Sequence, residues 1–288
     1  MILCVVGPTG VGKTKLSVEL ALKYNAIIIN ADAMQVYKGL DIGTAKVRED
    51  KKKGVPHYLF DIKDLDEEYT VYDYQKDVRE LLKKYKDRNI VFVGGTGLYL
   101  KAALYDYRFV DEEKKVRDYT GYSDEELYEM AKKKDPNVEI HPNNRVRLER
   151  FLNKEMQEKV EPVMLYPHLI IGLTTERAVL YERINKRVDV MVRDGLLLEA
   201  RKFYDAGVRT KPLLCGIGYK ELYAYFDGKD TLEDALDKVK QNSRHYAKRQ
   251  YTFFNRQLDV KWFDVDFEDF DKTVQDVIRY IEMERKND

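Results

Sequence analysis

The first residues of the chain contain a complete phosphate-binding pattern. Residues 7–14 read G-x-x-x-x-G-K-T and are Gly7, Pro8, Thr9, Gly10, Val11, Gly12, Lys13 and Thr14. In such a loop, backbone N–H groups converge on phosphate oxygens, the lysine adds a positive charge, and the threonine hydroxyl suits a phosphate-bound Mg²⁺. An apolar run at 2–6 precedes the loop and a helical pattern follows it, which supplies the strand and the helix N-terminus that the pattern requires. We therefore predict phosphate or diphosphate binding here, with nucleotides such as ATP among the ordinary ligands of this loop type.

A carboxylate follows the second apolar run, at Asp32. In kinases and ATPases, an acidic residue that ends an apolar strand holds Mg²⁺, but the run 90–93 ends in Gly94-Gly95-Thr96-Gly97 instead. Because the carboxyl ends of parallel strands face the ligand crevice, we expect Asp32 near the phosphate loop, as a base or a metal partner. A helix cap or a turn residue is the alternative interpretation.

The Gly94–Gly97 turn is expected at the same edge of the sheet, where glycines let a ligand approach the backbone and Thr96 presents a hydroxyl. A purely structural turn explains the same residues equally well.

Three segments are rich in basic residues: 144–150, 182–191 and 238–258, the last without an acidic residue. On a helix, Lys240, Arg244, Lys248 and Tyr251 would share one face. Cations interleaved with aromatic rings suit RNA, whose phosphates meet the charges and whose unstacked bases meet the rings. A solvated basic helix face remains the alternative, and the cations of 182–191 could cover phosphates or pair with neighbouring carboxylates.

The surrounding pattern predicts the fold that positions these residues. Apolar runs at 2–6, 26–29, 90–93 and 168–173 alternate with helical patterns at 13–24, 70–86 and 175–206, and 258–265 could add an edge strand. This alternation predicts an α/β fold of the P-loop NTPase type, a parallel sheet flanked by helices. The highly charged stretch 111–144, with a helix at 123–134 capped by Ser123 and Glu126, is predicted to be a small, mostly helical insertion domain. Residues 1–110 and 145–288 would form the core domain with a helical C-terminal part.

Composition narrows the function classes. The 288 residues carry zero formal net charge, so affinity for nucleic acid must come from local patches. Two cysteines, Cys4 and Cys215, lack any zinc-ligand spacing. No apolar run reaches membrane-spanning length, and the first strand leaves no room for a signal peptide, so we expect a cytoplasmic protein without membrane contact.

Several motifs together resemble one family, the bacterial tRNA dimethylallyltransferases. The resemblance covers nearly the whole chain and rests on these segments: GPTGVGKT at 7–14, NADAMQVYKGLDIGTAK at 30–46, VGGTGLYLKAAL at 93–104, HPNNRVRLER at 141–150, ERINKRVDVM at 182–191, GIGYKEL at 216–222 and SRHYAKRQYTFF at 243–254. The phosphate loop is shared by many families, whereas DAMQVYKGLDIGTAK and the AKRQ segment are highly specific.

The resemblance implies transfer of a dimethylallyl group from dimethylallyl diphosphate to N6 of adenosine 37, next to the anticodon, in tRNAs that read codons starting with U. It implies that Asp32 is the base, that Lys13, Thr14 and Arg187 hold the diphosphate, and that Mg²⁺ is the cofactor, with Thr14 as its protein ligand. No ATP is hydrolysed in this reaction, which explains why no kinase-type acidic strand end is needed.

The same resemblance implies contacts to the tRNA anticodon stem-loop. The implied residues are Asp32, Ala33, Met34 and Gln35 around a flipped-out base, Thr96, and Arg117, Val146, Arg147, Leu148, Glu149 and Arg150 in and beside the insertion. The AKRQ helix, with Arg244, Lys248 and Arg249, is expected to bind phosphate or the tRNA backbone. The sequence indicates no obligate protein partner and nothing beyond a monomer.

Three other functions remain to be tested. An adenylate isopentenyltransferase would use the same donor with free AMP, ADP or ATP as acceptor. A P-loop small-molecule kinase would consume ATP, and a non-catalytic RNA-binding protein would leave Asp32 without a role.

Overall fold

A computed structural model of the protein describes residues 1–109, 117–153 and 163–287. Its six strands form one sheet in the order β3-β2-β4-β1-β5-β6, with all neighbouring strands parallel. The strands are β1 (Ile2–Val6), β2 (Ala26–Asn30), β3 (His57–Tyr58), β4 (Asn89–Val93), β5 (Leu169–Thr174) and β6 (Lys261–Asp264). The predicted α/β class, a parallel sheet flanked by helices, is confirmed.

The central strands are apolar along their whole length because helices cover both faces of the sheet. Cys4, Ile29 and Phe92 pack into the core on one face, while Val5 and Ile28 pack into the core on the other. Successive side chains of a strand point to opposite faces of the sheet. A strand that is buried on both faces therefore lacks the alternation of apolar and polar residues seen in half-exposed strands.

Twelve helices belong to the described residues: α1 (Lys13–Lys23), α2 (Glu49–Lys52), α3 (Val71–Lys84), α4 (Gly97–Leu104), α5 (Asp124–Lys134), α6 (Arg145–Asn153), α7 (Arg177–Arg193), α8 (Leu196–Asp205), α9 (Lys211–Cys215), α10 (Tyr219–Phe226), α11 (Leu232–Gln257) and α12 (Phe270–Asn287). The capping box of α5 forms as predicted, since the Glu126 N–H donates to the Ser123 hydroxyl and the Ser123 N–H donates to Glu126.

The helix predicted over 175–206 is interrupted. It divides into α7 and α8 at Gly195, whose φ of +107° lies in the left-handed region. Glycine adopts this conformation without steric cost, so the chain changes direction there while the apolar periodicity continues on both sides.

The chain divides into two compact units, Met1–Tyr107 with Val163–Asp288, and Arg108–Pro162. The predicted boundary at 144/145 is therefore wrong, because α6 belongs to the smaller unit. There, Leu148 of α6 is fully buried with Leu127 and Ala131 of α5 and with Tyr119. The predicted start of the insertion, at 111, lies outside the described residues.

No described helix has both the length and the apolar character that crossing a membrane would require. Cys4 is buried in β1, where burial raises its pKa, and Cys215 is exposed at the end of α9.

Candidate active site

The phosphate-binding loop connects β1 to α1, as predicted. Gly12 stands at the N-terminus of α1 with φ of +96°, and a side chain there would also overlap the ring of Phe270. The Lys13 ammonium folds back and donates a hydrogen bond to the Pro8 carbonyl at 2.8 Å. The loop therefore presents backbone N–H groups and one cation at a helix N-terminus, where the helix dipole favours anions.

The charge of Lys13 depends on its surroundings. Burial, followed by the nearby positive charge of Arg187, lowers the pKa of Lys13 to about 7, and the negative charge of Asp32 opposes this shift. A bound diphosphate would add negative charge beside the ammonium and would therefore raise this pKa.

Two arginines of α7 stand one helical turn apart and line the same cavity as the loop. Arg183 Nε donates to the Gly10 carbonyl at 3.1 Å, and its guanidinium lies 3.6 Å from the centroid of the Phe267 ring. Burial lowers the pKa of Arg187, and Asp32 opposes that shift. Arg183 thus supports the loop, whereas Arg187 is a cation close to both Lys13 and Asp32.

Asp32 follows β2 in a loop that is held by side chains. The Asp32 N–H donates to Asn30 Oδ1 at 2.9 Å, and the fully buried Asn30 amide donates to the carbonyls of Asp32 and Leu59. Asp32 Oδ1 accepts the Met34 N–H at 2.9 Å, and Asp32 lines the cavity. The carboxylate is therefore oriented, and its lone pairs can accept a proton there.

The Gly94–Gly97 turn fixes the other side of this loop. The Thr96 hydroxyl accepts the Ala33 N–H at 3.1 Å, and the Thr96 N–H donates to the Ala31 carbonyl at 3.0 Å. Thr96 itself does not line the cavity. Its position supports a role in holding the Asp32 loop.

Tyr246 of α11 lines the cavity, and its hydroxyl forms hydrogen bonds with the side chains of Thr96 and Gln250. Burial, followed by the negative charge of Asp32, raises the pKa of Tyr246. The phenol therefore stays neutral and can donate a hydrogen bond.

Glu199 of α8 holds the segment that follows the Asp32 loop. Its carboxylate accepts the N–H groups of Asp41, Ile42 and Gly43 at 2.8–3.1 Å and the Tyr219 hydroxyl at 2.6 Å. Gly43 and the residues after it line the cavity. One carboxylate thus fixes a cavity wall that has no regular secondary structure.

These elements enclose a cavity of about 780 Å³ within the larger unit. The predicted site residues that line it are Thr9, Gly10, Gly12, Lys13, Thr14, Asp32, Met34, Gln35, Arg187 and Arg249. Gly7, Pro8 and Val11 of the same loop are buried and do not line the cavity. Asp32 is the only carboxylate among the described lining residues, which also include Lys186 and Lys220.

The residues of the basic face predicted on α11 differ in their surroundings: some pack against other elements of the protein and others are exposed. Lys240 pairs with Asp189 at 2.8 Å and Arg244 donates to Asn185 at 2.7 Å, so both side chains pack against α7. The expectation that Tyr251 shares an RNA-binding face is wrong, because its hydroxyl bonds Thr174 and its ring packs against Trp262. Lys248 and Arg249 are exposed, and their contact with tRNA stays a prediction.

In the smaller unit, the predicted tRNA residues differ in exposure. Val146, Arg147 and Arg150 are exposed, whereas Glu149 pairs with Arg145 at 2.8 Å. A tRNA contact by the Leu148 side chain is excluded, because Leu148 is fully buried in the core of this unit. The backbone N–H of Arg117 donates to Asn153, and a role of its side chain stays a prediction.

The site's fit to Mg²⁺ rests on few protein ligands. No cluster of three or more His, Cys, Asp or Glu side chains suited to a metal exists among the described residues. Mg²⁺ often binds through substrate phosphates with only one or two protein oxygens. The exposed Thr14 hydroxyl at the cavity and the Asp32 carboxylate suit such a site.

Sequence reasoning did not assign roles to Arg183, Glu199, Tyr246 or Gln250. Arg183 and Arg187, like Tyr246 and Gln250, are four positions apart on one helix, and this spacing was the available signal. For Glu199 no local signal existed, since the backbone N–H groups that it accepts are more than 150 positions away along the chain.

Comparison with known proteins adds independent information. A family model described as IPP transferase matches residues 35–257. A tRNA dimethylallyltransferase of Anoxybacillus flavithermus is 45% identical over 298 residues, covering 98% of this chain and 96% of that protein. The tRNA dimethylallyltransferase of Bacillus subtilis is 45% identical over 284 residues, covering 92% of this chain and 90% of that protein.

Solved structures agree with these relatives. The crystal structure of the full-length tRNA isopentenylpyrophosphate transferase from Bacillus halodurans gives a TM-score of 0.78 at 42% identity, covering 99% of this chain and 97% of the other. A eukaryotic dimethylallyltransferase acting on tRNA gives a TM-score of 0.80 at 27% identity, covering 96% of this chain and 77% of that one. Since the similarity extends over almost the whole chain and includes the cavity-lining segments, the chain belongs to the tRNA dimethylallyltransferase family.

Proposed function

We propose that this enzyme transfers a dimethylallyl group from dimethylallyl diphosphate to N6 of adenosine 37 in tRNAs that read codons starting with U. One observation carries the proposal. The same cavity is lined by a phosphate-binding loop with the cations Lys13 and Arg187 and by a single oriented carboxylate, Asp32. Prenyl transfer from a diphosphate needs these two parts, an anion site for the leaving group and a base for the nucleophile.

The reaction replaces the C1–O bond of the donor with a C1–N6 bond and moves one proton from N6 to a base. Adenine N6 attacks C1 of the dimethylallyl group, the C1–O bond breaks, and its electron pair leaves on the diphosphate. Asp32 takes the proton that N6 loses, which is general-base catalysis. The loop N–H groups, Lys13 and Arg187 stabilise the negative charge that grows on the leaving oxygen, and one well-placed donor of this kind is worth about 3 kcal/mol.

We propose Mg²⁺ as the cofactor, held by the diphosphate oxygens and the Thr14 hydroxyl. The bound ion would neutralise charge on the diphosphate. The protein's own part is to align the diphosphate through the loop N–H groups and the two cations.

The acceptor must leave its stacked position in the anticodon loop, because a base within a stack does not reach an enclosed cavity. Met34 and Gln35 line the cavity beside Asp32 and are suited to contact the flipped base. The exposed cations Lys248 and Arg249, with Arg147 and Arg150 of the smaller unit, are suited to contact RNA phosphates.

The alternatives differ in acceptor or donor. An adenylate isopentenyltransferase needs no basic surface beyond the cavity, while the relatives above are named for tRNA. A kinase is disfavoured because Gly94 and Gly95 follow β4, where a kinase of this fold commonly has a metal-binding carboxylate.

We also propose that the enzyme is cytoplasmic, because the relatives above are named for tRNA, and that it acts as a monomer, because the phosphate loop, Arg187 and Asp32 of a single chain suffice to line one cavity. Sedimentation of the enzyme with and without tRNA tests this. A dimer that loses activity on dilution would contradict it.

The deciding experiment combines the purified protein, Mg²⁺, radiolabelled dimethylallyl diphosphate and an unmodified tRNA carrying A36-A37-A38. We expect label at A37 alone, and a matched tRNA with A37 replaced by guanosine serves as the control. Label in added AMP but not in tRNA would support the free-nucleotide enzyme. Consumption of ATP with label in neither acceptor would support a kinase.

A further inference from the structure

Gln250 occupies an unusual position on α11, in the AKRQ segment whose role the sequence left open. Its side chain is 4% exposed and lies at the wall of the cavity. Both ends of its amide are used. Gln250 Oε1 accepts the Thr9 N–H at 3.2 Å, and Gln250 Nε2 donates to the Gly95 carbonyl at 3.1 Å.

These two contacts join loops from distant parts of the chain. Thr9 belongs to the phosphate-binding loop, and Gly95 belongs to the turn after β4. The absence of a side chain at Gly95 makes the contact possible, because a Cβ there would overlap the Gln250 amide nitrogen. Positions 95 and 250 are therefore matched to each other.

The turn after β4 continues the connection to the carboxylate. Thr96, the next residue, accepts the Ala33 N–H and donates to the Ala31 carbonyl, and these two residues flank Asp32. A continuous series of hydrogen bonds thus runs from the phosphate-binding loop through Gln250 and Thr96 to the Asp32 loop.

We propose that Gln250 is a positioning residue, which sets the separation between the diphosphate cradle and Asp32. The inference rests on the proposed function, in which the leaving group is held by one loop and the nucleophile's base by the other. A misplacement of about 1 Å between reacting groups can cost on the order of 10²-fold in rate. Gln250 therefore affects the chemical step more than the binding of either substrate.

Gln250→Glu gives the sharpest test, because its two protonation states differ in the contact with the Gly95 carbonyl. The carboxylate still accepts the Thr9 N–H but places a negative oxygen against the Gly95 carbonyl. The protonated acid accepts from Thr9 with one oxygen and donates to Gly95 with the other, as the amide does. Burial raises the pKa of such a carboxyl toward neutrality. The ratio of variant to wild-type activity should therefore rise as the pH falls.

We expect kcat of Gln250→Glu at pH 8 to be about 10- to 100-fold below wild type, and most of this loss to be recovered at pH 6. KM for donor and for tRNA should change less than about threefold. Charged or titratable side chains in the same cavity wall include Tyr246 and Arg249 of α11, Lys13 of α1, Asp32 after β2, and Arg183 and Arg187 of α7. They are shared with wild type, so the ratio isolates the new carboxyl.

Gln257→Glu is the matched control. Gln257 ends the same helix, is exposed, and accepts a hydrogen bond from Lys101 that a glutamate can also accept. Its activity ratio should be close to one and flat with pH. A flat ratio for Gln250→Glu, or equal losses in kcat and in both affinities, would overturn the inference and leave Gln250 a structural residue.

Hydrogen exchange separates this inference from the proposed function. Gln250→Met keeps the size but loses both hydrogen bonds, so we expect faster exchange in 7–12, 31–35 and 94–97 than in wild type. If wild type fails to prenylate tRNA, the proposed function fails, while the exchange result still decides whether Gln250 joins the loops. Faster exchange near residue 9 alone, or nowhere, would overturn the connection. If Gln250→Met does not fold, Gln250→Glu at pH 8 compared with pH 6 supplies the same readout.

Discussion

The phosphate-binding loop and the loop that carries Asp32 line the same cavity, but their conformations depend on different parts of the sequence. In the first, Gly7, Gly10 and Gly12 all have positive φ, and Lys13 closes the loop onto Pro8 five positions away. In the second, the shape depends on side chains that accept backbone N–H groups, above all Asn30 and Thr96. A loop shaped by glycines can be recognised from its own sequence, whereas a loop shaped by side-chain hydrogen bonds depends on partners elsewhere in the chain.

The two loops also differ in charge. The phosphate loop lies among cations, Lys13 and Arg187, that suit an anionic ligand. The Asp32 loop contributes one carboxylate, whose negative charge raises the pKa of both cations. We expect substitutions on the two sides to have distinguishable effects, on the nucleophile in one case and on the leaving group in the other.

The largest effect is expected for Asp32→Asn. The amide oxygen can still accept the Met34 N–H, so the loop should keep its shape while the base is lost. The single-turnover rate should fall by about 10²- to 10⁴-fold, the usual range for a general base, with tRNA affinity within about tenfold. Asp64→Asn, at an exposed ion pair with Lys38, is the control. A rate equal to wild type would remove Asp32 from the mechanism.

A smaller effect is expected for Arg187→Gln, on the leaving-group side. Loss of one buried donor to the growing negative charge should lower kcat by about 10²- to 10³-fold. Arg193→Gln, at the exposed end of the same helix, should be close to wild type. If Arg187→Gln changed only KM for dimethylallyl diphosphate, the arginine would bind the donor without stabilising the transition state.

The third prediction concerns pH. Lys13 has a pKa of about 7 in the free protein, and a bound diphosphate raises it. Below pH 7 the ammonium is already charged, whereas above pH 7 binding must take up a proton, so affinity falls as the pH rises. For inorganic diphosphate this contributes about fivefold weaker binding at pH 8 than at pH 7, measurable by calorimetry as proton uptake.

Lys13→Arg is the control for that measurement, because arginine stays charged throughout this range. The protons that diphosphate itself gains or loses are the same with both proteins. The difference in proton uptake between wild type and Lys13→Arg therefore reports the titration of Lys13. Identical proton uptake in both would show that Lys13 is already charged in the free enzyme.

The smallest effect on rate is expected for Glu199→Gln, which acts on the wall beside Asp32. The amide has one acceptor oxygen in place of two, so one or more of the N–H groups of Asp41, Ile42 and Gly43 loses its partner. A hydrogen bond to a charged group contributes about 1.5–3 kcal/mol, so losing one in this partly exposed segment should lower Tm by a few degrees. The exposed Glu80→Gln is the control in thermal unfolding, and an unchanged Tm would show that Glu199 is dispensable.

The fold was predictable because its signals are local. Apolar runs became β1, β2, β4 and β5, and the edge strand β6 lies inside the stretch predicted for it. The sequence did not indicate the helix break at Gly195, because helical periodicity continues on both sides of it. It also did not indicate that α6 belongs to the smaller unit, because this depends on packing against α5.

The site was predictable in part. Lys13, Asp32 and Arg187 line one cavity, as expected from the loop pattern and the family resemblance. The contacts of Gln250 with Thr9 and Gly95, and that of Glu199 with the Asp41 N–H, span more than 150 positions, so no local pattern could indicate these contacts. The prediction for Tyr251 was wrong because helical spacing shows which residues share a face of α11 but not which element packs against that face.

The position of β1 has a consequence for synthesis on the ribosome. β1 is made first, yet it lies between β4 and β5, and its pairing is complete only when Leu169–Thr174 has emerged. At about 5–20 residues per second, that delay is roughly 10–30 s. During this time an apolar strand of the nascent chain lacks its second neighbour, so we expect it to be a binding segment for chaperones that act during translation.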